Sequence, residues 1–175
     1  MSLHGLFDYE GEVAVVLADG GKRLRADQWE QRIWGTTLVI DWSIRSHEEF
    51  AFRVPFYAHK NFDHSKLMGP WVSVDEVNPA SCDVTTRVNG EVRQQFNGSE
   101  MMHSFGELRE QMSEDFTLLS GDVLSGGTGA GTAVDSTVVD NDGRLPFDKF
   151  LHDGDTVEVS SPGLGTLNAH IVGHP

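Results

Sequence analysis

The stretch DYEGEVAVVLADG, residues 8–20, sets the tightest constraint on how this chain can fold. Its middle is apolar enough for a buried strand, yet that strand opens with Glu10 and Glu12, one residue apart. In extended backbone successive side chains point to opposite faces, so the two glutamates share a face with Cβ atoms roughly 7 Å apart. Carboxylates held side by side near an apolar core repel one another and lose hydration unless a positive charge stands between them. A divalent cation fits that position. The same pair would also suit the solvent face of an edge strand, where charge discourages strand-to-strand aggregation.

Elsewhere the chain is punctuated by turns. Its 19 glycines, with recurrent Asn-Gly, Asp-Gly and Pro-Gly pairs, point to a β-rich α+β domain. Strands are expected over 11–18, 35–41, 83–89, 91–96, 155–160 and 165–172. VNGEV at 88–92 reads as a tight hairpin, its Asn89-Gly90 suited to a type I′ turn. Helices are expected over 26–34, where Trp29 and Ile33 stand four apart, and over 105–114, where Ser104 precedes Glu107 at capping-box spacing. No linker, repeat or low-complexity tract interrupts the 175 residues, which read as one domain able to bury a core with 38% hydrophobic residues.

Charge excludes a class of partners. With 27 acidic against 13 basic residues, the net charge of −14 disfavours nucleic acid, whose phosphates reward clustered Lys and Arg. No apolar run approaches the ~20 residues that cross a bilayer, so no membrane partner is expected. The single Cys82 has no partner for a disulfide and no zinc-finger spacing around it, which suits a reducing compartment, and the chain reads as cytoplasmic.

In TTLVIDWSIRSHEEF, residues 36–50, an apolar run ends abruptly at Asp41. Taken alone, the run favours Asp41 as the N-cap of a short helix beginning at Trp42. The other reading makes it a third carboxylate at a strand end, where rigid backbone aims side chains into sites. SGGTGAGT, residues 125–132, exposes backbone donors as a phosphate cradle would, but it lacks the lysine of a P-loop and the setting of a dinucleotide fingerprint. The eight histidines include no zincin-type pair.

Six fragments in order, DYEGEVAVV, IDWSIR, HKNFDHSKLMGPWV, VNGEVRQQFN, GDVLSGGTGAGT and FLHDGDTVEVSSPGLGTLNAHIV, resemble the fumarylacetoacetate hydrolase family over nearly the whole chain. The resemblance implies a mixed β-sheet roll, largely β. Carried over residue by residue, it implies that Glu10, Glu12 and Asp41 hold Mg2+, Mn2+ or Ca2+, and that Arg45, Lys60 and Thr128 serve the reaction. A hard cation with open positions can bind both oxygens of a 1,3-dicarbonyl or 2-oxo acid and stabilise the enolate that leaves. Arg45 and Lys60 would then meet a substrate carboxylate or developing oxyanion, and the Thr128 hydroxyl would donate from a loop whose glycines allow close backbone approach.

Plainer readings stand beside these: Lys60 as an exposed loop lysine, Arg45 paired with Glu48 or Glu49 on a short helix, and 125–132 as a flexible turn. The implied activity is a metal-dependent C–C hydrolase or lyase. The alternatives are decarboxylase, hydratase or isomerase chemistry, or impaired catalysis. The family's usual glutamine after the motif arginine is Glu48 here, and nothing near His4 matches the family's N-terminal lid, whose histidine and glutamate activate water. The chain is therefore expected to bind a 2-oxo acid such as oxalate but to hydrolyse acylpyruvates poorly, unless His47 or His59 supplies the base. The family habit and the apolar FAFRVPFY, residues 50–57, imply a homodimer.

Overall fold

The computed structural model describes residues 6–45, 59–138, 140–141 and 147–173. His4, His47, Glu48, Glu49 and the segment 50–57 lie outside the described residues.

The described strands are β1 (Leu6–Asp8), β2 (Gly11–Leu17), β3 (Ile33–Asp41), β4 (Ser43–Arg45), β5 (Lys66–Ser73), β6 (Asp83–Val88), β7 (Glu91–Asn97), β8 (Val123–Thr128), β9 (Thr156–Ser161) and β10 (Gly165–His170). Among the described residues one α-helix of more than two residues, α1 (Phe105–Asp115), accompanies them. One sheet has the order β5-β3-β2-β8, a second β10-β9-β6-β7, and β1 pairs with β4 alone; every described pair is antiparallel. The fold is thus mainly β, as expected. No helix among the described residues is long and apolar enough to cross a membrane.

Alternation explains how the two larger sheets pack. In β6 and β9 every second residue is buried, with Val84, Val88, Val157 and Val159 facing inward. They meet Val13, Val15 and Leu17 of β2 and Leu38 and Ile40 of β3 in one core cluster. The odd-numbered residues of β2 therefore face the second sheet, which leaves Glu10 and Glu12 together on the opposite face. The same alternation in β3 puts Ile40 inward and Asp41 on the carboxylate face. At Gly11 the sheets come so close that a Cβ would stand 2.1 Å from Thr86 Oγ1 and 3.1 Å from Val159 Cγ2.

Local signals behave as their chemistry requires. Asn89 (φ 50°) and Gly90 (φ 82°) make the hairpin turn between β6 and β7, both left-handed as a type I′ turn needs. Ser104 caps α1 in a closed capping box: Glu107 N donates to Ser104 Oγ (3.2 Å), and Ser104 N donates to Glu107 Oε2 (2.7 Å).

Two expectations are corrected. The helix over 26–34 is a single 3-10 turn, Trp29–Arg32; Ile33 leaves it to pair with Leu17, so sheet registry overrides the four-residue spacing. Asp41 does not cap a helix at Trp42, because Ser43–Arg45 continues extended and pairs with Leu6–Asp8. Strands β1, β4, β5 and β8 were not expected. Two are only three residues long, β8 is glycine-rich, and β5 carries Pro70, which its edge position tolerates.

Candidate metal centre

Strand registry assembles the site. Gly11 stands opposite Ile40 and Glu12 opposite Val39, and Asp41 N donates to Glu10 O at 2.9 Å, so Glu10 and Asp41 are cross-strand neighbours. One carboxylate oxygen from each of Glu10, Glu12 and Asp41 lies within 4.8 Å of the others. Relative exposures of 9% for Glu10 and 4% for Glu12, on a strand flanked on both sides, rule out the exposed-edge arrangement.

Cations surround the cluster. Lys60 Nζ donates to Glu10 Oε2 (2.5 Å) and to Asp41 Oδ2 (3.0 Å), so this lysine bridges two carboxylates rather than facing solvent. Arg45 is buried; its Nη2 donates to Glu10 Oε1, and its Nε donates to Asp8 Oδ2 at 3.1 Å. Lys66 Nζ lies 2.6 Å from Asp41 Oδ1, so each oxygen of the Asp41 carboxylate is paired with a lysine.

Asp8 and Ser125 are neighbours of the cluster that sequence reasoning missed. Asp8, fully buried, accepts from Tyr9 N (2.9 Å), Ala133 N (2.7 Å) and Val134 N (3.3 Å) as well as from Arg45, and so fixes the guanidinium against Glu10. Burial pushes the Asp8 carboxyl above its usual range, against the pull of Arg45 and the amides of Ala133 and Val134. Ser125 Oγ donates to Glu12 Oε2. Burial, with smaller contributions from the charges of Asp41 and Glu10, raises Glu12 to about 7, against the opposing pull of Ser125 and Lys60.

Thr128 is opposite Glu12 in the β2–β8 ladder. Its hydroxyl donates to Gly11 O (2.9 Å) and accepts from Gln94 Nε2 (2.8 Å), so it is engaged with the protein's own backbone here. Gln94 was another missed residue. Within VNGEVRQQFN nothing separates it from Gln95, since one β-register decides which of the two turns inward.

A hard, oxygen-rich ligand set and a local surplus of carboxylates over cations among the described residues both fit a divalent cation. Four carboxylates, Asp8, Glu10, Glu12 and Asp41, face the three cations Arg45, Lys60 and Lys66 in these contacts.

A family model, fumarylacetoacetate (FAA) hydrolase C-terminal, matches residues 2–172. Oxaloacetate tautomerase YisK of Bacillus subtilis (strain 168) is 34% identical over 168 residues, 94% of this chain and 52% of that protein. The chain thus spans about half the length of the curated relatives it matches. Among solved structures, 5-carboxymethyl-2-hydroxymuconate delta-isomerase from Mycobacterium smegmatis superposes with a TM-score of 0.83 at 30% identity, covering 99% of this chain and 62% of that one. Fumarylpyruvate hydrolase from Pseudomonas aeruginosa, in complex with Mn2+ and pyruvate, has the same fold: TM-score 0.81, 23% identity, 99% of this chain and 69% of that one.

Proposed function

The chain belongs to the fumarylacetoacetate hydrolase family, and on that premise we propose that it is a divalent-metal-dependent enzyme acting on a small 2-oxo or 1,3-dicarbonyl acid through its enolate. The observation that carries this reading is the convergence of Glu10, Glu12 and Asp41, buried or half-buried, from adjoining strands. Mg2+ and Mn2+ are the ions proposed, with Ca2+ as the third candidate, since all three accept all-oxygen ligands.

Bound there, the cation would polarise the substrate carbonyl and favour negative charge on its oxygen. The chain's own groups do the rest. Asp8 holds Arg45, and Arg45 holds Glu10 in place as a ligand. Lys60 is the cation placed to meet a substrate carboxylate, because it already spans the two carboxylates that border the site. Among the described residues, and with Glu12 ionised as a ligand, a divalent ion turns an excess of one negative charge into an excess of one positive charge, which a monocarboxylate substrate neutralises. The backbone around Gly127 (φ 79°) and Thr128 supplies amides that can approach such a ligand closely.

Turnover follows one of two courses. The C–C hydrolase or lyase reading needs an activated water in addition to the enolate step. Tautomerisation needs only that a proton be moved, and the relatives at 30% identity or more favour it: one is a tautomerase, another an isomerase. We therefore take enolisation as the shared step and tautomerase or isomerase chemistry as the first outcome to test. Incubating a panel of 2-oxo and 1,3-dicarbonyl acids with protein and Mn2+ in D2O tests this by NMR. Metal-dependent deuterium incorporation next to the carbonyl, lost in Asp41→Asn, is expected; exchange no faster than the metal alone gives would overturn it.

A further inference from the structure

Resting on the metal reading above, we infer that Gln94 is a positioning residue for the centre, closing a hydrogen-bonded ring that fixes the backbone between Glu10 and Glu12. Residue Gly11, between those ligands, has a peptide with no ladder partner on one side. β8 reaches this end of β2 only as far as Thr128, which stands opposite Glu12 after a register shift between Glu12 and Ala14. The second sheet is too close for a side chain at Gly11 itself. A buried amide and carbonyl without partners would leave this backbone free to turn, and each ligand carboxylate would turn with it.

Gln94 supplies what the ladder lacks. From β7, at 1% exposure, it accepts from Gly11 N through Oε1 at 3.0 Å. Its Nε2 donates to Thr128 Oγ1 at 2.8 Å, and Thr128 Oγ1 donates to Gly11 O at 2.9 Å, so the ring returns to the residue where it began. The remaining Nε2 hydrogen goes to Gly129 O at 2.8 Å, tying the glycine-rich loop to the same point. Every donor and acceptor has one consistent direction. An oxygen must accept from Gly11 N–H and an NH2 group must donate to both Thr128 Oγ1 and Gly129 O, so the carboxamide orientation is determined and a carboxylate or thioether, which has no donor, could not replace it. Neither Gln94 nor Gly11 touches the cation site through a side chain; the effect is transmitted by backbone.

The test is calorimetric titration of Mn2+ into wild type, Gln94→Met, Thr128→Val, the double variant and Thr128→Ser, each at a temperature where circular dichroism shows it folded. Outer-shell losses of this kind typically weaken metal binding about 10–100-fold. We expect that loss in Gln94→Met and in Thr128→Val, no further loss in the double variant because both break one ring, and near wild-type affinity in Thr128→Ser, which keeps the hydroxyl. A purely structural role would lower the melting temperature yet leave the affinity of the folded protein unchanged. Wild-type affinity in folded Gln94→Met, or additive losses in the double variant, overturns the inference while leaving the metal reading intact. If Gln94→Met does not fold, the contrast between Thr128→Val and Thr128→Ser decides, equal affinities overturning the ring. Failure of wild type to bind Mn2+ overturns both.

Discussion

Glu12 is the residue at which burial and charge meet most sharply. Its folded value of about 7 exceeds the ordinary 4.5, so the metal-free native state holds a proton more tightly than the unfolded chain does. Stability from this group is full below pH 4.5 and is lost as pH climbs towards about 7. At about 1.4 kcal/mol per pKa unit, the loss is on the order of 3 kcal/mol. Urea denaturation with chelator should show wild type weakening from pH 4.5 to 8 and Glu12→Gln weakening less; equal slopes would contradict the assignment. Saturating Mn2+ should reverse the trend, because a ligand carboxylate must be ionised. Arg45 invites a second measurement. Removing its charge leaves Asp8 and Glu10 buried without it, so Arg45→Met should cost about 3–5 kcal/mol in denaturant, and a cost below about 1 kcal/mol would show the network to be dispensable.

At the scale of elements, β2 is defined by a glycine. A Cβ on Gly11 would meet Thr86 Oγ1 at 2.1 Å, so Gly11→Ala should destabilise by about 1–3 kcal/mol. Thr86 Oγ1 is buried without a hydrogen-bond partner, which makes it cheap to delete. The double variant Gly11→Ala/Thr86→Ala should therefore recover much of the loss in a melting curve, and no recovery would place the clash elsewhere. The same strand shows what a sequence can reveal. An apolar run exposed β2, and turn chemistry exposed the hairpin at Asn89-Gly90, because these are local rules. The shared face of Glu10 and Glu12 was legible for the same reason. That Asp41 ends a strand and stands beside Glu10 depends on the registry of β2 with β3, which no local rule carries; the local rule at Asp41 pointed to a helix cap instead. Asp8 and Gln94 stayed hidden because their partners, Ala133 and Gly11, lie far away along the chain.

For the whole molecule, the two packed sheets act as a frame that brings acidic residues from β2 and β3 under cations from β4, from the helical backbone at His59–Lys60 and from β5. Family membership extends this frame to relatives with tautomerase and isomerase activities, and the proposed chemistry is the step such reactions share. A homodimer remains our proposal for the assembly, checked by sedimentation at micromolar concentration, where a monomer would contradict it. The central claim is that three carboxylates on one face of one sheet form a single cation site. Calorimetric titration of Mn2+ into wild type, Glu10→Gln, Glu12→Gln and Asp41→Asn tests it most directly. We predict one site per chain in the wild type and at least a tenfold loss of affinity in each variant; wild-type affinity in any folded variant would contradict the account.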